Sequence, residues 1–358
     1  MPASTGSEID NSNRFRRNTP VAIWLLACCV MVFCMVVVGG ATRLTRSGLS
    51  ITEWQPILGA LPPLSAADWQ EAFEKYQLTP EYRQVNAGMS MEAFKGIFWW
   101  EYFHRLLGRT IGVAFLLPLI WFWVKKQIHT ALAWQLAGIF VLGGLQGAMG
   151  WYMVTSGLVD DPRVSQFRLT AHLLLAFAIF AAMFWTALSL LHSHSGERPA
   201  PQSLHRLGWC VTVLVIYMIT TGGFVAGIRA GFAYNTFPLM NGHFMPPEIW
   251  QLDPWWKNFF YNMATAQFDH RLGAWLLAVL VPVFWWRAHA VALAPRQRHA
   301  GHWLLALLVL QITLGISTLL LQVPVALAAA HQGGAVLLFA AALNANHALR
   351  GHRKEPAA

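Results

Sequence analysis

Eight apolar stretches, at roughly 20–41, 98–124, 131–154, 168–191, 207–228, 260–286, 302–321 and 325–348, limit what this chain can fold into. Each is long enough to cross about 30 Å of hydrocarbon as a helix. Inside a bilayer only helices and closed barrels satisfy every backbone polar group. The chain is 56% hydrophobic and 11% charged, against about 25% charged residues in a soluble domain. The predicted class is an all-α integral membrane protein with eight transmembrane helices, and its first partner is the lipid bilayer. The formal charge of +9 is not gathered into a basic patch on a soluble domain, which argues against a nucleic-acid partner. Cys28, Cys29, Cys34 and Cys210 lie in apolar runs. None has metal-ligand spacing and no loop offers a disulfide pair, so they read as packing residues.

Loop charges set the orientation. With the N-terminus inside, 13 of the 25 Lys and Arg fall on the inner side. The count is nearly even, but the inner basic residues flank the span ends closely and the long outer loops weigh less. Acids lean the other way, with Glu8, Asp10, Glu197 and Glu355 inside. Both termini are predicted cytoplasmic. The basic flank before the first run resembles a signal peptide, yet that run is too long for a signal core, so it is read as a retained span. The largest non-membrane piece is the outer loop 42–97. Within it, Ser65 to Gln77 has a plausible N-cap in Ser65 and an aromatic face of Trp69, Phe73 and Tyr76, which predicts an amphipathic helix suited to the membrane surface. A second outer loop, 229–259, carries Trp250, Trp255 and Trp256, as an interfacial belt would.

The two halves match each other. Gly39-Gly40, Arg46 and Gly48 correspond to Gly222-Gly223, Arg229 and Gly231, each 183 residues later. His104-Arg105 corresponds to His270-Arg271, 166 later, and Leu145-Gln146 and Gly150 to Leu310-Gln311 and Gly315, 165 later. Ala171-His172 corresponds to Ala330-His331, 159 later. Four spans per copy is an even number, so both copies run in the same sense, as in a parallel repeat. The expected organisation is a cytoplasmic tail at 1–19, a four-helix bundle at 20–191, a linker at 192–206, a second bundle at 207–349 and a tail at 350–358. The two bundles are expected to be related by a pseudo-two-fold axis, each with room for a site in its core.

The second span opens on Glu101-Tyr102-Phe103-His104-Arg105, with Arg109 a turn further on. Ionisable groups inside a span are costly and mark functional sites. Of 14 histidines, nine sit at inner ends or inner loops and read as solvated, and His243 lies in an outer loop. The other four, His104, His172, His270 and His331, lie inside spans 2, 4, 6 and 8, towards their outer ends. A lone intramembrane histidine is more often a hydrogen-bonded core residue than a ligand. Four at equivalent places in a repeat, two per bundle, point to axial ligation of haem. Small residues follow about one turn deeper at Gly108, Ala176, Gly273 with Ala274, and Gly334, where they serve either a flat macrocycle or close helix packing. Zinc is disfavoured, because two ligands per bundle are too few. Arg46, Arg105, Arg109, Arg229 and Arg271 are the cations available for haem propionates.

The copies differ at one acid. Glu101 stands one turn before His104, whereas Gln267 stands one turn before His270. A carboxylate beside a reacting group can move a proton or stabilise positive charge, which marks the first bundle as reactive and the second as holding. The competing reading is a salt bridge from Glu101 to Arg105 at i+4.

The run Glu101-Tyr102-Phe103-His104-Arg105 resembles the Glu-Phe-x-His-Arg signature of the haem A synthase family. The stretch from Thr42 to Ser50, followed by Glu53-Trp54, is also similar to that family, and the resemblance covers all eight spans. It implies oxidation of a ring methyl of haem O to a formyl group by successive hydroxylations, with haem b as cofactor. It further implies that His270 and His331 are the axial ligands of haem b, that His104 and His172 face the substrate haem, and that Glu101 is the catalytic carboxylate. The implied partners are a haem O synthase and haem-copper oxidase assembly factors, the implied place is a bacterial inner membrane with the haem sites towards its outer side, and there is room for a homo-oligomer. Some members carry a cysteine pair in the first outer loop, where this chain has none. Two other classes fit the four histidines. One is a di-haem cytochrome exchanging electrons with quinol, which leaves Glu101 against Gln267 unexplained. The other is a haem carrier or assembly factor, which the outer placement of the charges disfavours.

Overall fold

The structure, a computed structural model, describes residues 5–55, 58–159, 161–192 and 198–351, with side chains from residue 18 onward and Leu58 excepted. The helices are α1 (Thr5–Leu44), α2 (Ala66–Gln77), α3 (Pro80–Gln84), α4 (Met91–Val124), α5 (Thr130–Thr155), α6 (Gln166–Leu191), α7 (Gln202–Gly227), α8 (Asn258–Tyr261), α9 (Met263–His289), α10 (Pro295–Leu320) and α11 (Val325–Arg350). Among the described residues α1, α4, α5, α6, α7, α9, α10 and α11 are long and apolar enough to span a membrane, and no strand is present. The chain is an all-α, multi-pass membrane protein.

Several helix starts carry polar side-chain caps. Ser65 accepts from the Asp68 N–H and closes a capping box, Ser90 accepts from the Ala93 N–H at the start of α4, and Asn262 accepts from Ala264 and Thr265 at the start of α9. Each cap satisfies backbone donors that the first turn leaves open. His129, read from sequence as a solvated inner-end residue, is the N-cap of α5 and accepts from the Leu132 N–H.

Several boundaries differ from the sequence expectation. Helix α1 is already formed at Thr5, so most of the expected tail at 1–19 is helical and continuous with the helix whose apolar span runs Asn18–Leu44, while residues 1–4 lie outside the described residues. Helix α7 starts inside the expected linker 192–206, of which 193–197 are not described. Of the tail 350–358, residues 352–358 are not described. Helix α4 begins at Met91 and has 34 residues, about 51 Å at 1.5 Å per residue, so it extends well beyond the hydrocarbon.

That extension explains the outer loop. The aromatic face of α2 lies on the N-terminal end of α4 rather than on lipid. Phe73 and Tyr76 are buried with Phe94 and Phe98, and Trp69 meets Phe98 edge-on at 4.9 Å between ring centres. Facing water, fully burying such a ring contributes roughly 1.5–3 kcal/mol, which holds the loop as a structured cap.

In the first half α1 packs on α4 and α6, and α5 packs on α4 and α6. In the second, α7 packs on α9 and α11, and α10 packs on α9 and α11. The halves meet where α1 touches α11 and where α6 touches α7 and α11. Small residues allow the approach, since lipid supplies no hydrophobic drive between helices. A Cβ on Gly223 would lie 2.6 Å from Thr170 Oγ1, and one on Gly40 would lie 2.5 Å from Gln332 Oε1. Gln332 Nε2 donates to the Val36 carbonyl across the same contact.

Candidate active site

The four intramembrane histidines each rest on a glycine of a neighbouring helix. A Cβ on Gly39 of α1 would stand 3.0 Å from His104 Nε2, and one on Gly222 of α7 would stand 3.2 Å from His270 Cε1. One on Gly150 of α5 would be 3.0 Å from His172 Cε1, and one on Gly315 of α10 would be 2.8 Å from His331 Cε1. The glycines repeated in the sequence are thus the seats of the repeated histidines. Gln146 and Gln311, also repeated, each donate to the carbonyl of the facing histidine, Gln146 to His172 and Gln311 to His331, both at 3.0 Å.

The two pairs then diverge. The His270 and His331 rings have centres 6.4 Å apart and planes at 82°. Two imidazole nitrogens each about 2 Å from one metal ion, with each ring centre roughly 1 Å behind its nitrogen, put the centres about 6 Å apart. The pair therefore has the spacing of two axial ligands on one iron. His270 Nδ1 meets the Thr221 hydroxyl at 2.9 Å, and His331 Nδ1 is buried without a hydrogen bond. His104 and His172 make no ring contact of this kind among the described residues. His104 turns its Nε2 edge onto Gly39, and the Gln146 amide nitrogen stands 3.4 Å from His172 Nε2. The second half fits a bound haem with its two imidazoles already paired. The first half presents two imidazoles whose Nε2 atoms have other neighbours.

The small residues deeper along these helices serve packing at two of the positions. Met218 occupies the space over Gly273, where a Cβ would meet its sulfur at less than van der Waals distance, and Gln311 occupies the space over Gly334.

Glu101 is buried, at 2% exposure, and both of its oxygens are committed. Oε2 accepts from Ser50 Oγ at 2.7 Å and from the Ile51 N–H at 2.8 Å, while Oε1 accepts from Arg105 Nε at 3.0 Å and Nη2 at 2.5 Å. Arg105 also donates to the Ile51 and Glu53 carbonyls, and Arg109 donates to the Gln55 carbonyl. Trp54 stacks on Trp151 at 4.9 Å, beside the Gly150 seat. Together these contacts tie residues 50–55 down over the first half. The second half has a counterpart in which Gln267 Nε2 donates to the Ala230 carbonyl. Arg271 donates to Gln267 Oε1 and to the Tyr234 and Leu239 carbonyls. The exchange of Glu for Gln thus follows the atom each loop offers: donors at Ser50 and Ile51, an acceptor at Ala230.

The five arginines therefore separate. Arg105, Arg109 and Arg271 hold loop carbonyls. Arg46 and Arg229 are exposed, and their guanidiniums make no hydrogen bond among the described residues. Both adopt left-handed backbone, at φ 54 and φ 58, which is uncommon outside glycine and gathers at ligand sites. Arg43, half-buried at the end of α1, lies within electrostatic reach of Arg229. Sequence reasoning passed over Arg43, and also Thr221, Ser50 and the two glutamines. The repeated Leu-Gln pair was the signal available for the glutamines, whereas a single Thr, Ser or Arg carried none.

A sequence profile of the cytochrome oxidase assembly protein family, COX15-CtaA, matches residues 22–343. The chain belongs to this family. A relative from Nitrosospira multiformis, named haem A synthase, is 62% identical over 94% of this chain and 95% of its own length. Relatives of the same name from Nitrosomonas eutropha and Rhodospirillum centenum are 56% and 51% identical, over 93% and 92% of this chain and 94% and 88% of their own lengths. Family membership extends over both halves, so all four histidines and Glu101 fall within it.

Proposed function

We propose that this chain is a haem A synthase, an oxidoreductase that converts a methyl of haem O to a formyl group. The overall conversion adds one water and releases four protons, and passes four electrons to an external electron acceptor, through two hydroxylations and loss of water from the resulting diol. Haem b, held by His270 and His331, supplies the electron-transfer chemistry. The observation that carries this division of labour is the 6.4 Å His270–His331 pair against the unpaired His104 and His172.

Haem O enters the first half, between His104 and His172. Arg46 and Arg229, helped by Arg43, hold anionic propionates at the outer side, since their guanidiniums are the ones not tied to loop carbonyls. Glu101 acts from one turn before His104. With both oxygens bonded it serves as a fixed negative charge facing positive charge that develops on the methyl, rather than as a freely moving base. Residues 50–55 close the first half from water. The two halves form a parallel repeat, one reactive and one holding, in an inner membrane with both termini cytoplasmic. Haem O synthase and oxidase assembly factors are the partners on either side of the reaction.

The deciding experiment expresses the chain with a haem O synthase, extracts the haems and separates them by chromatography. Haem A is expected beside protohaem. Protohaem alone in every preparation overturns the synthase reading in favour of the di-haem cytochrome.

A further inference from the structure

We propose that Thr221 is a positioning residue that makes His270 a permanent axial ligand, and that its absence from the other half is what keeps the substrate site exchangeable. This rests on the reading that the second half holds haem b. The Thr221 hydroxyl stands 3.2 Å from the Met218 carbonyl and 2.9 Å from His270 Nδ1; with its one proton on that carbonyl, its oxygen is the acceptor for an Nδ1–H. With the proton on Nδ1, the lone pair of the neutral ring is on Nε2, the atom available to iron. Thr221 is buried, at 8% exposure, on the turn that also carries the Gly222 seat. One residue thus sets the tautomer and the next sets the ring position. An imidazole that donates its second N–H is also a more basic ligand, and such outer partners are worth 10- to 100-fold in metal affinity.

The first half lacks this device. The residue before its Gly39 seat is Val38, which has no side-chain oxygen, and His104 lays Nε2 rather than Cε1 against the glycine. Its partner His172 has Nε2 beside the Gln146 amide. A haem that arrives as haem O and leaves as haem A needs ligands that release it. A retained haem needs a ring locked in the ligating form. The Thr221–Val38 difference supplies that distinction in the helix that seats the histidine, independently of Glu101.

The test uses the purified full-length protein from a host without haem O synthase, so that haem b is the only haem present. Thr221→Val, close in shape and matching the other half, is compared with Thr221→Ser, Thr221→Ala and His270→Ala. The readouts are haem-to-protein ratio, rate of haem loss to an apomyoglobin trap, and midpoint potential. Thr221→Val and Thr221→Ala are expected to lose haem 10- to 100-fold faster and to titrate at a higher potential, while Thr221→Ser stays at wild type. A role in packing alone predicts no change of potential in the Val variant, and wild-type potential and haem-loss rate in both Val and Ala variants overturn the inference. His270→Ala tests the underlying reading separately: a full complement of haem b in that variant removes His270 as ligand, whatever Thr221 does.

Discussion

At the scale of single residues, the site is governed by which lone pairs and donors are already spent. Glu101 has four hydrogen bonds on two oxygens, and an amide can accept on only one of its two ends. Glu101→Gln must therefore release either Arg105 or the Ser50–Ile51 edge. We expect haem A formation to fall on the order of 100-fold or more, with haem O or its hydroxylated intermediate accumulating and the haem b spectrum unchanged. Ser50→Ala removes one donor and leaves the carboxylate in place. Chromatography of extracted haems from both variants separates the roles: equal losses mean that Glu101 acts only by holding the loop. The glycine seats give a second, paired prediction. A methyl at Gly315 would stand 2.8 Å from His331 Cε1, and one at Gly150 would stand 3.0 Å from His172 Cε1, so either substitution displaces a ring. Gly315→Ala is expected to abolish the haem b absorption bands, and Gly150→Ala to keep them while haem A production drops.

At the scale of elements, the outer cap carries a pH dependence. Glu81 on α3 is buried, at 5% exposure, and burial, followed by the Glu101 charge, pushes its carboxyl up to about 7. A carboxyl whose pKa is raised on folding binds more protons folded than unfolded between its two pKa values. Its contribution to stability is full below about 4.3, the unfolded value, and is lost as pH rises through 7. Amide hydrogen exchange in α2 and α3 is therefore expected to show weaker protection at pH 8 than at pH 5, relative to Glu81→Gln measured at the same pH. Parallel behaviour of the two proteins across that range would remove Glu81 as the cause.

Which elements were legible from sequence follows from the same physics. The eight spans were, because hydrocarbon demands long apolar runs. The placement of α2 was not, because an aromatic face reads alike for lipid and for protein, and the outer extension of α4 that covers it lies in a polar stretch. The four histidines were visible through repetition. Their glycine seats were visible only as matching letters, since a contact between α1 and α4 has no local signature. Thr221 was invisible, because threonine within an apolar helix ordinarily bonds its own backbone, as Thr212 and Thr220 do here.

At the scale of the whole molecule, the proposed division of labour would send electrons from the first half to a haem b held by the second, and on that reading the contact between halves belongs to the mechanism. That contact rests on close backbone approach. At the α6–α7 crossing a Cβ on Gly227 would press into Gln166 Cβ and lie 2.8 Å from its Cα. Backbone cannot step aside as the end of a long side chain can, so Gly227→Ala has to push α6 and α7 apart. Overpacking of this kind costs about 1–3 kcal/mol. The strain falls beside Gln166, which donates to the Phe260 carbonyl, and on neither a histidine nor a glycine that seats one. Each half should therefore keep its own haem geometry while the spacing between halves grows. The expected outcome is a lower thermal midpoint in detergent, an unchanged haem b spectrum, and slower conversion of haem O. Gly40→Ala is the matched comparison, because its Cβ meets only the Gln332 side-chain amide, which can rotate away. A Gly40→Ala variant that slows conversion as much as Gly227→Ala would mean that loss of the Gln332 bond to Val36, rather than helix separation, limits the transfer.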